Sequence, residues 1–355
     1  MTSFVALHCA DTVPPSDAAK GAIGALLSAL SIPNPKVYGA QGSAALAPGV
    51  NLYAYAHKYG FLPDVAAKQA VFVAEEQEWR GLGVNAGAQD PSYAPEPLHF
   101  RVDQHLTIAE IHPDAAVRTL AWNQAAESIA ILMATKLCLP GQPFTNPRGY
   151  GWGMEGLRNW WLVSSAPDVV TAWFTCLQKL YDQKGWTDLL ALPYLTEHPA
   201  GGDHGNQKVC TWMTGRAALA VAMGVRAMGG YGNHAQMDAV AHQALNCLVH
   251  AAAEGEAMTG LSGRLVDDYN PLAGWLKPGY EAKYGVMSRW AYPAVLELTR
   301  AGVPGAQAFL EGPIHDAFLA DNMMKPSEWK VGNGYGSLHM ASIATQLAPW
   351  FTWRQ

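Results

Sequence analysis

Apolar and polar positions repeat with a helical period through most of the chain after residue 112. In residues 167–185 the apolar side chains recur every three or four positions, so they line one face of a helix while polar side chains line the other. Gly185 follows the last of these positions and is typical of a helix end. The same period predicts further helices at 113–137, 153–165, 234–256, 283–301, 304–321 and 337–350.

The segment 206–228 differs from its neighbours because it is apolar on almost every side. A helix of this kind is buried all round, whereas the next helix, at 234–256, has one polar face. Every helix of a plain bundle would be amphipathic, so an alternation of the two kinds indicates two concentric layers. The pattern predicts a mainly α protein in which residues 112–355 form an α/α hairpin array or an α/α toroid, complete or incomplete.

Residues 1–111 have a mixed pattern rich in proline and glycine and are predicted to form a smaller mixed α+β N-terminal region. This region is a candidate cap or assembly segment beside the helical domain. Its pattern predicts helices at 17–32 and 63–82 and strands at 3–10 and 97–111.

The composition is that of a compact globular chain, since 50% of its 355 residues are hydrophobic and 15% are charged. A net charge of −6 and the absence of any basic run give no electrostatic reason to expect a nucleic-acid partner. No apolar run approaches the roughly 18 residues that a membrane span needs. The N-terminus lacks the basic region and the long apolar run of a signal peptide. A soluble protein, cytoplasmic or associated with a virion, is expected.

Five cysteines are spread along the chain, an odd number without any CxxC pair. Several fall inside apolar helical patterns, which favours buried thiols outside disulfides in a reducing compartment. The chain has no Walker loop, no dinucleotide fingerprint after a strand and no nucleophile elbow, and no cofactor is expected. The cysteines are Cys9, Cys138, Cys176, Cys210 and Cys247.

Two motifs resemble those of α/α-toroid carbohydrate-active proteins. RGYGWGMEGLRNWW, residues 148–161, is similar to the start of an inner helix in those proteins, where a loop with Arg, Tyr, Gly and Trp faces the central cavity. DHGNQKVCTW, residues 203–212, resembles a loop of toroid polysaccharide lyases, in which an Asn, often beside a His, lies at an inner-helix N-terminus. Here a single Asn follows Gly205, where the alginate-lyase-like pattern has two adjacent asparagines. The resemblance implies binding or cleavage of a carbohydrate polymer by a polysaccharide lyase or a glycoside hydrolase.

A lyase that acts by β-elimination needs a group that neutralises the uronate carboxylate, a base and an acid. Candidates for the neutralising group are Arg148 and Asn206. His204 or Tyr150 would remove the C5 proton, and Tyr150 would also protonate the leaving oxygen. The expected ligand is then an acidic polysaccharide or glycan.

A glycoside hydrolase needs instead two carboxyl groups at a defined separation. Glu155, Asp203 and Glu328 are available for that role. Aromatic side chains stack on sugar rings, and those beside the two motifs or in a glycine loop are candidates for substrate binding: Trp152, Trp212 and Tyr231.

Structural roles compete with these chemical ones. Asp203 and Asn206 are of the residue types that cap helices, and the three GYG triplets at 149–151, 230–232 and 334–336 suit turns at helix ends. The loop 197–204 contains two acidic residues and two histidines that could surround a divalent ion, but its spacing matches no helical metal motif, so no metal is expected.

A function of another class fits the same pattern, namely a non-catalytic structural or attachment protein, such as a virion or surface component. The helical array would then be a scaffold, and the protein would form a homo-oligomer or bind an assembly partner. The contact would use residues 1–111 or the aromatic C-terminal stretch APWFTWRQ. The two functions differ in whether Arg148, Tyr150, Glu155, His204 and Asn206 line one cavity.

Overall fold

The computed structural model describes most of the chain, and what it describes is almost entirely helical. The described residues are 3–30, 52–81, 102–134, 138, 140, 147–183, 209–231, 234–265, 268–269, 291–321, 325–329 and 335–351. The prediction of a mainly α protein is confirmed. None of the helices in these ranges combines the length and the apolar character needed to cross a membrane.

Six helices lie in the residues described before position 135. Ser16 caps the second of them, because its side chain accepts a hydrogen bond from the Ala19 N–H. The helices are α1 Phe4–His8, α2 Asp17–Ala29, α3 at 52–58, α4 Ala66–Gly81, α5 Val102–Ile111 and α6 Ala115–Met133.

The remaining helices follow from residue 147. Two short strands pair antiparallel, with Val209 opposite Tyr269. A π-helical turn, Leu310–Ile314, joins two of the helices. In chain order the elements are α7 Pro147–Ser164, α8 Pro167–Gln183, β1 Val209–Cys210, α9 Thr211–Met228, α10 His234–Thr259, β2 Asp268–Tyr269, α11 Tyr292–Arg300, α12 Ala306–Phe309, α13 His315–Ala320 and α14 Tyr335–Leu347.

Contacts along the chain form two compact units. Unit 1 contains residues 1–132, 159–165 and 323–355, and unit 2 contains residues 133–158 and 166–322. Compact units of contacts are not by themselves domains, and the predicted division between residues 111 and 112 stays a prediction.

Both strands predicted in the N-terminal region were wrong, because α1 Phe4–His8 lies within the first segment and the described part of the second, Val102–Ile111, is α5. Ser3 caps α1 by accepting the Ala6 N–H, and the Glu110 carboxylate of α5 accepts the Val5 N–H at 3.0 Å. The apolar–polar alternation at 97–111 arises because α5 is buried on all sides from Val102 to Ile108, polar side chains included. The alternation of apolar and polar residues therefore did not indicate a solvent-exposed face. The predicted mixed α+β region does not occur in the described residues.

Buried polar contacts hold α4, α5 and α6 together in unit 1. His105 Nε2 of α5 lies 3.0 Å from Glu76 Oε2 of α4, and both side chains are buried. Gln124 Nε2 of α6 donates to the Val73 carbonyl at 2.8 Å. Each of these contacts satisfies a group whose burial would otherwise be costly, and together they join α5 and α6 to α4.

Unit 1 is expected to lose stability in alkaline solution. Burial raises the pKa of Cys9 to about 12, and burial also raises the pKa values of Tyr53 and Tyr55 above those of ordinary tyrosines. In the unfolded chain thiols ionise near about 8.5 and phenols near about 10. Above these values the unfolded chain loses protons that the folded chain keeps, so stability present at neutral pH is lost as pH rises.

Urea denaturation at a series of pH values above neutrality tests this expectation. The free energy of unfolding should fall progressively above about pH 9. Tyr53→Phe should flatten the fall, whereas the same change at Tyr231, which is 66% exposed, should not. A wild-type free energy that stays constant up to about pH 11 would contradict the assignment.

Helix α9 lies at the centre of unit 2. All side chains from Ala217 to Ala222 are buried, which confirms the prediction of a helix without a solvent face over that stretch. The helix contacts α10 and α11, and Gly224 lies against the ring of Trp173 in α8. Trp173 is completely buried, so the missing Cβ at Gly224 makes room for the largest side chain of α8.

Candidate functional site

The N-terminal parts of α7, α9 and α11 meet in unit 2. A methyl group on Gly151 of α7 would lie 2.7 Å from the carbonyl carbon of Arg216 and 2.8 Å from the nitrogen of Ala217. On the other side of α9, a methyl group on Gly215 would lie 2.5 Å from the Cβ of Ala291, the residue before α11. Neither approach leaves room for a Cβ atom, so these positions require glycine.

Helices α9 and α11 run in the same direction. Gly215 lies beside Ala291 near their starts, and further along Arg226 Nη1 lies 2.7 Å from Glu297 Oε2. Helix α10 follows α9 after a short turn and packs back along it. The starts of α9 and α11 therefore share one end of the unit, beside the first turns of α7. We call this region the N-terminal cluster.

A buried ion pair joins two helices of the N-terminal cluster. Glu155 of α7 and Arg216 of α9 are in direct contact, and their side chains are only 7% and 12% exposed. Glu155, a predicted catalytic carboxylate, is thus held by a cation that is not among the predicted residues. The sequence does carry a signal for it, because an arginine in an otherwise apolar helix needs a partner when that helix is buried.

Tyr150 precedes Gly151 in α7 and is completely buried. Burial, together with the nearby thiols of Cys176 and Cys138, raises the pKa of Tyr150 above that of an ordinary tyrosine. The phenol is therefore protonated at neutral pH, which suits a proton donor and does not suit a base. Trp152, predicted to bind substrate, is also buried in α7.

The start of α9 carries two buried hydroxyl groups. Thr211 and Thr214 are 1% and 0% exposed, and among the described residues no side-chain hydrogen-bond partner is found for either Oγ1. The first N–H groups of a helix have no intrahelical acceptor, and the helix dipole adds partial positive charge there. Such an end is suited to holding a carboxylate or another anion.

Other predicted site residues lie outside the described part or have undescribed side chains. His204, Asn206 and Asp203 fall in the segment 201–208, and the loop 197–204 lies outside the described residues as well. Arg148 and Trp212 are the second residues of α7 and α9, so their backbones belong to the N-terminal cluster although their side chains are not described.

Tyr231 lies at the opposite end of α9 from the N-terminal cluster. It closes the short turn Gly229–Tyr231 that follows the helix and is 66% exposed. The helix has 18 residues, which corresponds to about 27 Å between its ends. A direct role for Tyr231 at the N-terminal cluster is therefore excluded in this conformation.

Glu328 lies in unit 1, in the short 3₁₀ helix Pro326–Glu328. Its Oε1 is 3.6 Å from Lys325 Nζ, and both side chains are more than 40% exposed. Tyr335, from the third GYG triplet, is the first residue of α14.

The four cysteines whose side chains are described are buried. Cys9, Cys138, Cys176 and Cys247 take part in no disulfide. Within the described ranges, no three His, Cys, Asp or Glu side chains are arranged to hold a metal ion.

The chain is similar to a solved structure of a polysaccharide lyase. The TM-score is 0.57 with 11% sequence identity, and the match covers 94% of this chain and 98% of the other. The two proteins share a fold. No family model and no curated protein matches the chain. The likeness supports, at the level of fold, the resemblance to carbohydrate-active proteins drawn from residues 148–161 and 203–212.

Proposed function

We propose that the protein binds an acidic polysaccharide at the N-terminal cluster and cleaves it by β-elimination. The helices α7, α9 and α11 would be inner helices of an α/α toroid, complete or incomplete. The observation that carries the proposal is the meeting of the first turns of these helices, which brings predicted site positions together. The fold likeness to a polysaccharide lyase over nearly the full length of both chains supports it.

The elimination assigns one task to each group. The base removes the C5 proton of the uronate, the electron pair forms the C4–C5 double bond, and the C4–O bond breaks. His204 is the proposed base, because the raised pKa of Tyr150 leaves that phenol protonated. Tyr150 then donates its proton to the leaving oxygen.

The carboxylate of the uronate would be held at the start of α9. Neutralising this carboxylate acidifies the C5 proton, and partial positive charge at a helix N-terminus does so without a metal. The buried hydroxyls of Thr211 and Thr214 add donors to the first turn. Arg148 or Asn206 would complete the subsite.

The Glu155–Arg216 ion pair favours elimination over hydrolysis. A hydrolase needs two carboxyl groups that are free to act as acid, base or nucleophile. Glu155 is instead bound by Arg216 and buried between α7 and α9. The remaining hydrolase candidate in the described residues, Glu328, is exposed and lies 3.6 Å from Lys325.

Ultraviolet absorbance of the unsaturated uronate product, measured on a panel of acidic polysaccharides, tests the proposal. Tyr150→Phe should lower kcat at least about 100-fold on any polysaccharide that the wild type cleaves, because it removes the proton donor. His204→Ala should lower kcat by a comparable factor. Tyr53→Phe, which alters another buried tyrosine far along the chain, should leave kcat unchanged.

A Tyr150→Phe protein that folds and keeps wild-type kcat would overturn the role of Tyr150. Circular dichroism and thermal unfolding of each variant separate a lost proton donor from a lost fold. A parallel assay for new reducing ends, which hydrolysis also produces, distinguishes a hydrolase from a lyase: hydrolysis gives reducing ends without the absorbance change.

A non-catalytic scaffold is the second candidate function, and one observation favours it. Tyr150, Trp152 and Glu155 are all buried, as residues are that only pack helices together. In that case no acidic polysaccharide would yield either product. Light scattering would then be expected to detect a homo-oligomer or an assembly with a partner protein.

A further inference from the structure

Two cysteines distant in sequence lie side by side in unit 2. Cys138 Sγ and Cys176 Sγ are 3.8 Å apart and belong to positions separated by 38 residues. Both side chains are buried, Cys138 at 5% exposure and Cys176 at 0%. A thiol pair at this separation is in van der Waals contact and within the range of an S–H···S hydrogen bond.

A buried lysine accompanies the pair. Lys179 follows Cys176 by three residues on α8, so the two side chains lie on one face of the helix. Lys179 is 8% exposed, although a lysine is rarely buried without a partner. The charge of Lys179 lowers the pKa of both thiols, as a smaller contribution than their burial and the hydrogen bond between them. A cation beside two thiols is the environment in which cysteines react.

The two thiols are not equivalent. The hydrogen bond from Cys176, assisted by Lys179, lowers the pKa of Cys138, while burial raises the pKa of Cys176. One sulfur is therefore the better thiolate and the other keeps its proton. This division matches the roles of an attacking and a resolving cysteine.

We propose that Cys138 and Cys176 form a redox site that reacts with a hydroperoxide and closes to an intramolecular disulfide. The inference is independent of the proposed lyase activity. Cys138 is the proposed attacking sulfur, because it is the more exposed of the two. A small oxidant such as hydrogen peroxide suits a site with so little exposed surface.

The reaction balances in two steps. The Cys138 thiolate attacks one oxygen of hydrogen peroxide, the O–O bond breaks, and with one proton the products are Cys138 sulfenic acid and water. Cys176 then attacks the sulfenic sulfur, the S–O bond breaks, and the second water leaves with the Cys176 proton. Two thiols are oxidised by two electrons and the peroxide is reduced to two waters.

The movement needed is small. A disulfide has an S–S distance of about 2.05 Å, so the sulfurs must approach by less than about 2 Å. The bond would link a residue that precedes α7 to the middle of α8, and Tyr150 lies near both sulfurs.

Peptide mapping of the full-length protein after treatment with hydrogen peroxide tests the proposal. We expect a cross-linked Cys138–Cys176 peptide under non-reducing conditions and a fall from five reactive thiols to three in the denatured chain, both reversed by dithiothreitol. Cys138→Ser and Cys176→Ser should each abolish the cross-link. Cys247→Ser, which removes a cysteine of similar burial on α10, should retain it.

Lys179 variants test whether the two thiols form a reactive site or are only close together. Lys179→Met should slow the peroxide reaction, since the loss of a neighbouring cation raises the thiol pKa and leaves less thiolate. Lys179→Arg keeps the charge and should restore most of the rate. Absence of the cross-linked peptide, or equal oxidation of Cys9 and Cys247, would overturn the proposal.

Discussion

Glu155→Ala is expected to lower the free energy of unfolding by about 3–5 kcal/mol. The substitution leaves the guanidinium of Arg216 in a site where its side chain is only 12% exposed, without the carboxylate that compensates its charge. Removing one member of a buried ion pair is costly for this reason, whereas the net contribution of the intact pair is small. Urea denaturation of the wild type and the variant measures the difference.

Two further variants make the Glu155 experiment specific. The double change Glu155→Leu with Arg216→Met removes both charges and should return the stability to within about 1 kcal/mol of the wild type. Glu328→Ala breaks the exposed pair with Lys325 and should cost less than about 1 kcal/mol. Equal losses for Glu155→Ala and Glu328→Ala would contradict the burial of the Glu155–Arg216 pair.

Gly263→Ala is expected to cost about 3 kcal/mol. Gly263 has φ +74°, a conformation that side chains with a Cβ rarely adopt, and a methyl group there would overlap the carbonyl oxygen of Pro313. That carbonyl belongs to the π-helical turn Leu310–Ile314, whose backbone would have to move as a unit. The energetic cost of the φ strain and the cost of the overlap with the Pro313 backbone therefore add.

Gly260→Ala is the matched control for Gly263→Ala. Gly260 follows α10 in the same segment and has φ +68°, but no atom lies within 4 Å of the added methyl group. Its substitution should cost only the φ strain, about 1 kcal/mol. Chemical denaturation of both variants gives the comparison. A Gly263→Ala protein as stable as Gly260→Ala would show that the π-helical turn does not approach Gly263 as described.

Helix positions with a strong amphipathic period could be predicted closely from the sequence. The helix expected at 167–185 is α8, Pro167–Gln183, and the one expected at 234–256 is α10, His234–Thr259. The start of α7 was placed too late, at 153, since the glycines of RGYGWG are typical of a loop. They belong to the helix Pro147–Ser164 because Gly151 packs against the backbone of α9. Helix propensity, which depends on local sequence alone, does not include this tertiary contact.

The N-terminal region could not be predicted in the same way. Helix α5 is surrounded by other parts of unit 1, so its polar residues bond to protein groups instead of facing water. A prediction from the hydrophobic period assumes that polar residues face the solvent. The assumption fails for His105, which lies 3.0 Å from Glu76 inside the protein.

Individual site residues could be predicted, but their partners could not. Tyr150 and Glu155 follow from the RGYGWGMEG motif, whereas Arg216, Thr211 and Thr214 become relevant only once α9 is placed beside α7. The thiol pair has no sequence signal, because its members are 38 residues apart and match no redox or metal motif.

In the N-terminal cluster, the residues that hold the helices in place differ from those that could bind or react with a ligand. Gly151 and Gly215 fix the spacing of α7, α9 and α11 through main-chain atoms, so the frame does not depend on the side chains of the first turns. Substitutions at positions such as Arg148 and Trp212 are then expected to leave the helices in place. If the proposed function holds, such a frame would be a suitable starting point for laboratory selection of new specificities at those two positions.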